Sequence, residues 1–144
     1  MAQAVLRHLA AQAGLAGRIE ADSAGTRAYE PGGPAHPGTL EVLLKNGIDA
    51  GGLSCRGVTA DDFERFERIL AVDQRTLARL AQMTPAGDAR VARAELLLPY
   101  GTSGEQDLLD PFPDGDFARV FTQVEEACRG LLADLVAHEL ARGR

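Results

Sequence analysis

Val5, Leu6, Leu9 and Ala13 fall on one face of a helix, so residues 1–14 read as helical from the first position. No Ser, Thr, Asp or Asn precedes this pattern to cap it. Gly14 and Gly17 close it. Arg18 to Ala24 sets Ile19 and Ala21 between polar neighbours and reads as a short strand, leaving through the turn-prone Asp22-Ser23-Ala24-Gly25-Thr26. Pro31, Gly32, Gly33, Pro34, Pro37 and Gly38 make residues 27–38 a loop. A helix starts near Pro37, which suits a first turn, runs through Leu40, Val42, Leu43 and Leu44, and stops at Asn46-Gly47.

Further on, Thr59-Ala60-Asp61-Asp62 has the form of a capping box with Asp62 in place of Glu, opening a short helix through Phe63 and Phe66. The mixed charges of residues 61–68 read as a solvated helix face. Arg68-Ile69-Leu70-Ala71-Val72 is the clearest strand, and Asp73 caps a helix through Leu77 and Leu80. Leu96-Leu97-Leu98 is a third apolar run and reads as a strand; residues 99–116 are a polar loop. Phe117, Val120, Phe121, Val124, Cys128, Leu131, Leu132 and Leu135 recur at three- and four-residue steps, a long final helix capped by Asp114 or Asp116.

Helices alternating with short buried strands imply an α/β fold, a small parallel sheet flanked by helices in three layers. Residues 1–144 make one domain, without internal repeats. Three strands are few for such a sheet. No stretch approaches the roughly 18 apolar residues of a membrane span. The net charge of −6 argues against general nucleic-acid binding. Cys55 and Cys128 make no disulfide framework, so a reducing cytoplasm is the expected compartment. Cys128 lies on the apolar stripe as a core cysteine, while Cys55 beside Arg56 is a weak candidate for a reactive thiol. His8, His36 and His138 have no metal-ligand spacing, and no cofactor is implied.

Seven blocks in order carry a resemblance. They are Met1-Ala2-Gln3-Ala4-Val5, Asp22-Ser23-Ala24-Gly25-Thr26, Asn46-Gly47-Ile48-Asp49, Val58-Thr59-Ala60-Asp61-Asp62-Phe63, Ile69-Leu70-Ala71-Val72-Asp73, Asp110-Pro111-Phe112 and Glu125 through Leu132. With them the chain resembles the low-molecular-weight protein tyrosine phosphatases over essentially its whole length. The resemblance implies a phosphotyrosine phosphatase I-like fold and metal-free hydrolysis of phosphotyrosine proteins or small aryl phosphates. In that chemistry a cysteine thiolate attacks phosphorus, and loop amides with an arginine hold the phosphoryl oxygens. An aspartic acid protonates the leaving tyrosinate, then activates the water that hydrolyses the phosphocysteine. Asp110 matches that acid. Ser23 matches a serine supporting the phosphate loop. Tyr29 and Phe112 match the aromatic walls of the substrate slot, where ring stacking suits an aryl ester. Leu53 stands where many relatives have histidine.

The family signature, a cysteine, five residues and an arginine followed by Ser or Thr, is not among these residues. Asp61 stands six positions after Cys55, and Asp134 six after Cys128. In the family the signature ends just before the residue matching Met1. The resemblance therefore implies a chain shortened at its N-terminus, through a start set at an internal methionine, lacking the first, central strand and the nucleophile. Such a chain is expected to be inactive. Without the central strand, the segments 18–24 and 68–72 lack a partner between them, so a gapped sheet or an association-prone protein is expected. Two alternatives stay open: a non-enzymatic phosphate- or partner-binding relative, and an arginine-phosphatase- or arsenate-reductase-like member of the superfamily. Arsenate reduction would need redox cysteines that Cys55 and Cys128 are poorly placed to supply.

Overall fold

The computed structural model describes residues 1–27, 30–85, 87, 92–112 and 115–143. Among the described residues, five helices, α1 (Ala2–Gln12), α2 (Pro37–Lys45), α3 (Ala60–Arg65), α4 (Gln74–Met83) and α5 (Phe117–Arg142), surround two strands, β1 (Ile69–Ala71) and β2 (Ala94–Leu96). The strands pair in parallel, Ile69 opposite Ala94 and Ala71 opposite Leu96, with α4 as the crossover.

Side-chain alternation along β1 builds the layers. Ile69 and Ala71 pack with Phe63 of α3 and Leu80 of α4. Leu70 points the other way, toward Leu97, Leu98 and the α5 residues Ala127 and Leu131. A third cluster lies among the helices, where Val5 and Leu9 of α1 meet Val42 and Leu43 of α2 and Phe121, Val124 and Cys128 of α5. The sheet is thus enclosed on both faces, as a parallel sheet requires.

Most local signals hold. Pro37 opens α2, and Asn46 and Gly47 (φ +66°) end it. The Asp73 side chain accepts from the Thr76 amide at 2.6 Å. Replacing Asp73 by Ala leaves that amide without its acceptor and should lower stability by about 1 kcal/mol, read as a reduced urea midpoint at unchanged slope. Asp116 caps α5 through the Arg119 amide at 3.0 Å; Asp114, the other candidate, lies outside the described residues.

Four expectations are corrected. First, the segment 18–24 enters no ladder among the described residues. Its burial alternates over residues 18–22, Ile19 and Ala21 turning inward between exposed neighbours, and then stops, Asp22, Ser23 and Ala24 all being exposed. Its backbone, however, finds side chains and turns: Arg7 Nε donates to the Ala21 carbonyl at 3.0 Å. Pairing begins only at Gly25, in a single parallel bridge to Gly57. The described sheet therefore has two strands rather than three, and segment 18–24 does not pair with β1. Second, the strand around 96–98 is shifted toward the N-terminus. Pro99 has no amide hydrogen, and Leu98–Tyr100 turns into a 3-10 helix immediately after β2. Third, α1 ends at Gln12, so Ala13 lies past the apolar stripe and is exposed. Fourth, the charged run 61–68 is not uniformly solvated, since Asp62 and Phe63 are both buried.

Candidate active site

The loop that carries Asp110 leaves the 3-10 turn and is tied to the C-terminal end of β1. The Leu108 amide donates to the Val72 carbonyl at 2.8 Å, and the Gln74 amide to Asp107 Oδ1 at 2.8 Å. Sites in parallel sheets gather at this end, where strands give way to loops. Asp110 itself is exposed. Its Oδ1 accepts from the Phe112 amide at 3.0 Å, a local turn that fixes one carboxylate oxygen.

Phe112 is 67% exposed and stands edge-on to His36, 6.0 Å between ring centroids. His36 stacks on Phe117, at 5.0 Å and 16°. Its Nδ1 accepts from the Gly38 amide at 3.0 Å, so it also caps α2. Sequence reasoning passed over this role. The signal was present: a side-chain acceptor directly before a proline at the first helical position. Tyr29, the other expected aromatic wall, lies outside the described residues.

Ser23 closes the extended segment 19–24 and reaches the first turn of α1. Its hydroxyl donates to Gln3 Oε1 at 2.5 Å, and Gln3 is buried. No hydrogen bond joins Ser23 to Asp110 among the described residues; they stand in separate loops.

Behind Ser23 lies a charge cluster that sequence reasoning missed. Arg56 donates to both oxygens of Asp62, Nη1 to Oδ2 and Nη2 to Oδ1, each at 2.9 Å. Its Nε donates to Asp22 Oδ2 at 3.1 Å. Asp62 Oδ2 also accepts from the Thr59 amide at 2.9 Å, the carboxylate half of the expected capping box. The Arg56 hydrogen bonds hold the Asp62 carboxyl below the usual carboxylate range, against the opposing effect of burial. With Arg56 engaged on two carboxylates, it is not positioned as a free cation for the neighbouring Cys55. Cys55 is half-buried and its backbone bonds to Gly32 and Gly33. Cys128 is buried in the helical core, and burial pushes its thiol up to about 12.

A cleft of about 610 Å³ runs along the second half of α1, lined in part by Arg7, Ala10, Arg18 and Ile19. Of the described candidates, Ser23, Asp110 and Phe112 are not in its lining. Among the described residues no group of three or more His, Cys, Asp or Glu could hold a metal ion. No described helix is long and apolar enough to cross a membrane.

The sequence profile described as low molecular weight phosphotyrosine protein phosphatase matches residues 1–141. A low molecular weight protein-tyrosine-phosphatase of Bacillus subtilis, YfkJ, is 37% identical over 136 residues, covering 94% of this chain and 86% of the relative. The crystal structure of YfkJ superposes with a TM-score of 0.87 at 36% identity, covering 95% of this chain and 86% of the other. The crystal structure of DARP, a Drosophila arginine phosphatase, gives a TM-score of 0.82 at 26% identity, covering 93% and 87%. With the α/β layers, the Asp110-Pro111-Phe112 loop at the strand ends and the profile match over nearly every residue, the chain belongs to the low molecular weight phosphotyrosine protein phosphatase family.

Proposed function

We propose that this domain serves phosphotyrosine hydrolysis through a phosphocysteine, with Asp110 as general acid and then general base. A thiolate displaces the tyrosinate from phosphorus while Asp110 gives the leaving oxygen its proton. The resulting carboxylate takes a proton from water, whose oxygen attacks phosphorus and frees the thiolate and inorganic phosphate. Phe112 and Tyr29 flank the aryl group, and Ser23 steadies the phosphoryl-binding loop. The observation that carries this reading is the Asp110-Pro111-Phe112 loop, anchored at the C-terminal end of β1 in a chain of this family. The nucleophile is not among these residues: neither Cys55 nor Cys128 has an arginine six positions on. We therefore infer that a polypeptide of these 144 residues alone does not turn over substrate.

The test is hydrolysis of a chromogenic aryl phosphate. The 144-residue chain should release no phosphate above background. The same chain with a strand and a Cys-x5-Arg-Ser loop joined ahead of Met1 should turn over, and Asp110→Asn in that longer form should lose roughly 10²- to 10⁴-fold in kcat. Robust turnover by the short form, or an indifferent Asp110→Asn, would overturn the reading. Phosphoarginine as a parallel substrate addresses the second possibility that the similarity to an arginine phosphatase raises. Preference for it over the aryl ester would reassign the substrate.

A further inference from the structure

We propose that Arg56 is a positioning residue, the link that sets the Asp22-Ser23 turn against the first turn of α1. The inference rests on the proposed role of Ser23 in supporting the phosphoryl-binding loop. A continuous path of hydrogen bonds runs from α3 to α1. Asp62, at the start of α3, receives two N–H groups of the guanidinium. The third, Nε, goes to Asp22 Oδ2. The other oxygen of Asp22 accepts from the Ser23 amide at 2.8 Å, and the Ser23 hydroxyl meets Gln3. Each bond restricts the next: the planar fork of Arg56 is immobilised by the bidentate pair, which fixes the direction of Nε. That direction fixes the Asp22 carboxylate, and the carboxylate fixes the Ser23 peptide. Lysine, a single point charge, could satisfy only one of the two carboxylates with comparable geometry.

The backbone offers a control within the same segment. Gly25 N donates to the Arg56 carbonyl at 2.9 Å, and Val58 N to the Gly25 carbonyl at 3.0 Å. These bonds hold the two chains together whatever side chain stands at 56. Removing the fork should therefore loosen residues 22–24 while the bridge beside them stays ordered.

Amide order parameters by NMR on the 144-residue chain read this directly. In the parent, Ser23 should be rigid, near 0.85. In Arg56→Lys, and separately in Asp22→Asn, which removes the Asp22 charge that Arg56 faces and leaves the Arg56–Asp62 pair in place, Ser23 should fall below about 0.6. Gly25, Val58 and Val124 of α5 should stay near 0.85, and the Gln3 side-chain amide resonances should move. Two gentle variants guard against one that fails to fold. A Ser23 that stays rigid in both, or a loss of order shared equally by Val58 and Val124, would overturn the proposal. Because the measurement needs no turnover, its failure is separate from a failure of the phosphatase reading, which the aryl phosphate assay reports.

Discussion

Gly130→Ala should destabilise the protein by about 4 kcal/mol or more, lowering the thermal midpoint by on the order of 10 °C. In an exposed helix interior the same substitution would gain up to about 1 kcal/mol, because alanine is the better helix former. Here packing reverses the sign. Gly130 lies in α5 where the helix presses on the 3-10 turn, and an added Cβ would overlap the Tyr100 carbonyl oxygen, with the carbonyl carbon 2.8 Å away. Both are backbone atoms, so no rotamer change relieves the overlap. The turn is held from the far side as well, because the Tyr100 hydroxyl bonds to Glu95 at 2.9 Å and accepts from Arg68 at 2.7 Å. Gly101, at the end of the 3-10 turn, also approaches the backbone of Ala127, one turn earlier in α5, its added Cβ falling 3.3 Å from the amide nitrogen. The helix would therefore have to lift along this contact, opening the cluster of Leu97, Leu98, Ala127 and Leu131. Gly17→Ala, with no atom within 4 Å of its added Cβ, is the matched control and should change stability little. A Gly130→Ala protein as stable as that control would show that α5 and the turn separate freely.

The features legible in the sequence are those whose partners lie within one helical turn. Asp73 is a cap because the amide it needs is three residues on, and Cys128 is core because its stripe is periodic. The illegible ones depend on distant chain. Segment 18–24 starts with strand-like alternation, but whether alternation becomes a ladder depends on a backbone partner that local pattern does not specify. The Arg56 cluster joins residues 34 and 6 positions apart in sequence, and a run of mixed charges looks alike whether one carboxylate turns inward or none does. At the site, Asp110, Phe112 and Ser23 are recognisable only as members of family blocks. Nothing local distinguishes Asp110 from any loop aspartate before proline, and its role stays a proposal that the kcat of Asp110→Asn decides. The backbone-on-backbone contact at Gly130 left no trace beyond a glycine in a helical stripe.

Asp62→Ala should cost about 3 kcal/mol at neutral pH, and that cost should shrink in acid. The substitution removes the acceptor of three N–H groups, two from Arg56 and one from Thr59. Arg56 keeps Asp22 and partial solvent contact, its side chain being 32% exposed, which limits the penalty of stranding its charge. The Thr59 amide, at the mouth of α3, keeps no carboxylate acceptor. The pH dependence follows from the Asp62 carboxyl being held below its unfolded value, about 3.9, chiefly by Arg56. The unfolded chain then takes up the proton first. The stabilisation is fully present above the unfolded value and drains away as pH falls through it toward the lower folded value. Asp62→Asn keeps the shape and removes the titration, so its deficit against the parent should also narrow below about pH 4. Urea unfolding of parent and both variants at pH 7, 5 and 3.5 gives the comparison. A gap that stays constant down to pH 3.5 would mean that the ionised carboxylate is not what joins α3 to Arg56. A gap that narrows between pH 5 and 3.5 would place the Arg56–Asp62 pair among the groups whose protonation loosens the domain in acid, with the Asp22-Ser23 turn tied to the same guanidinium.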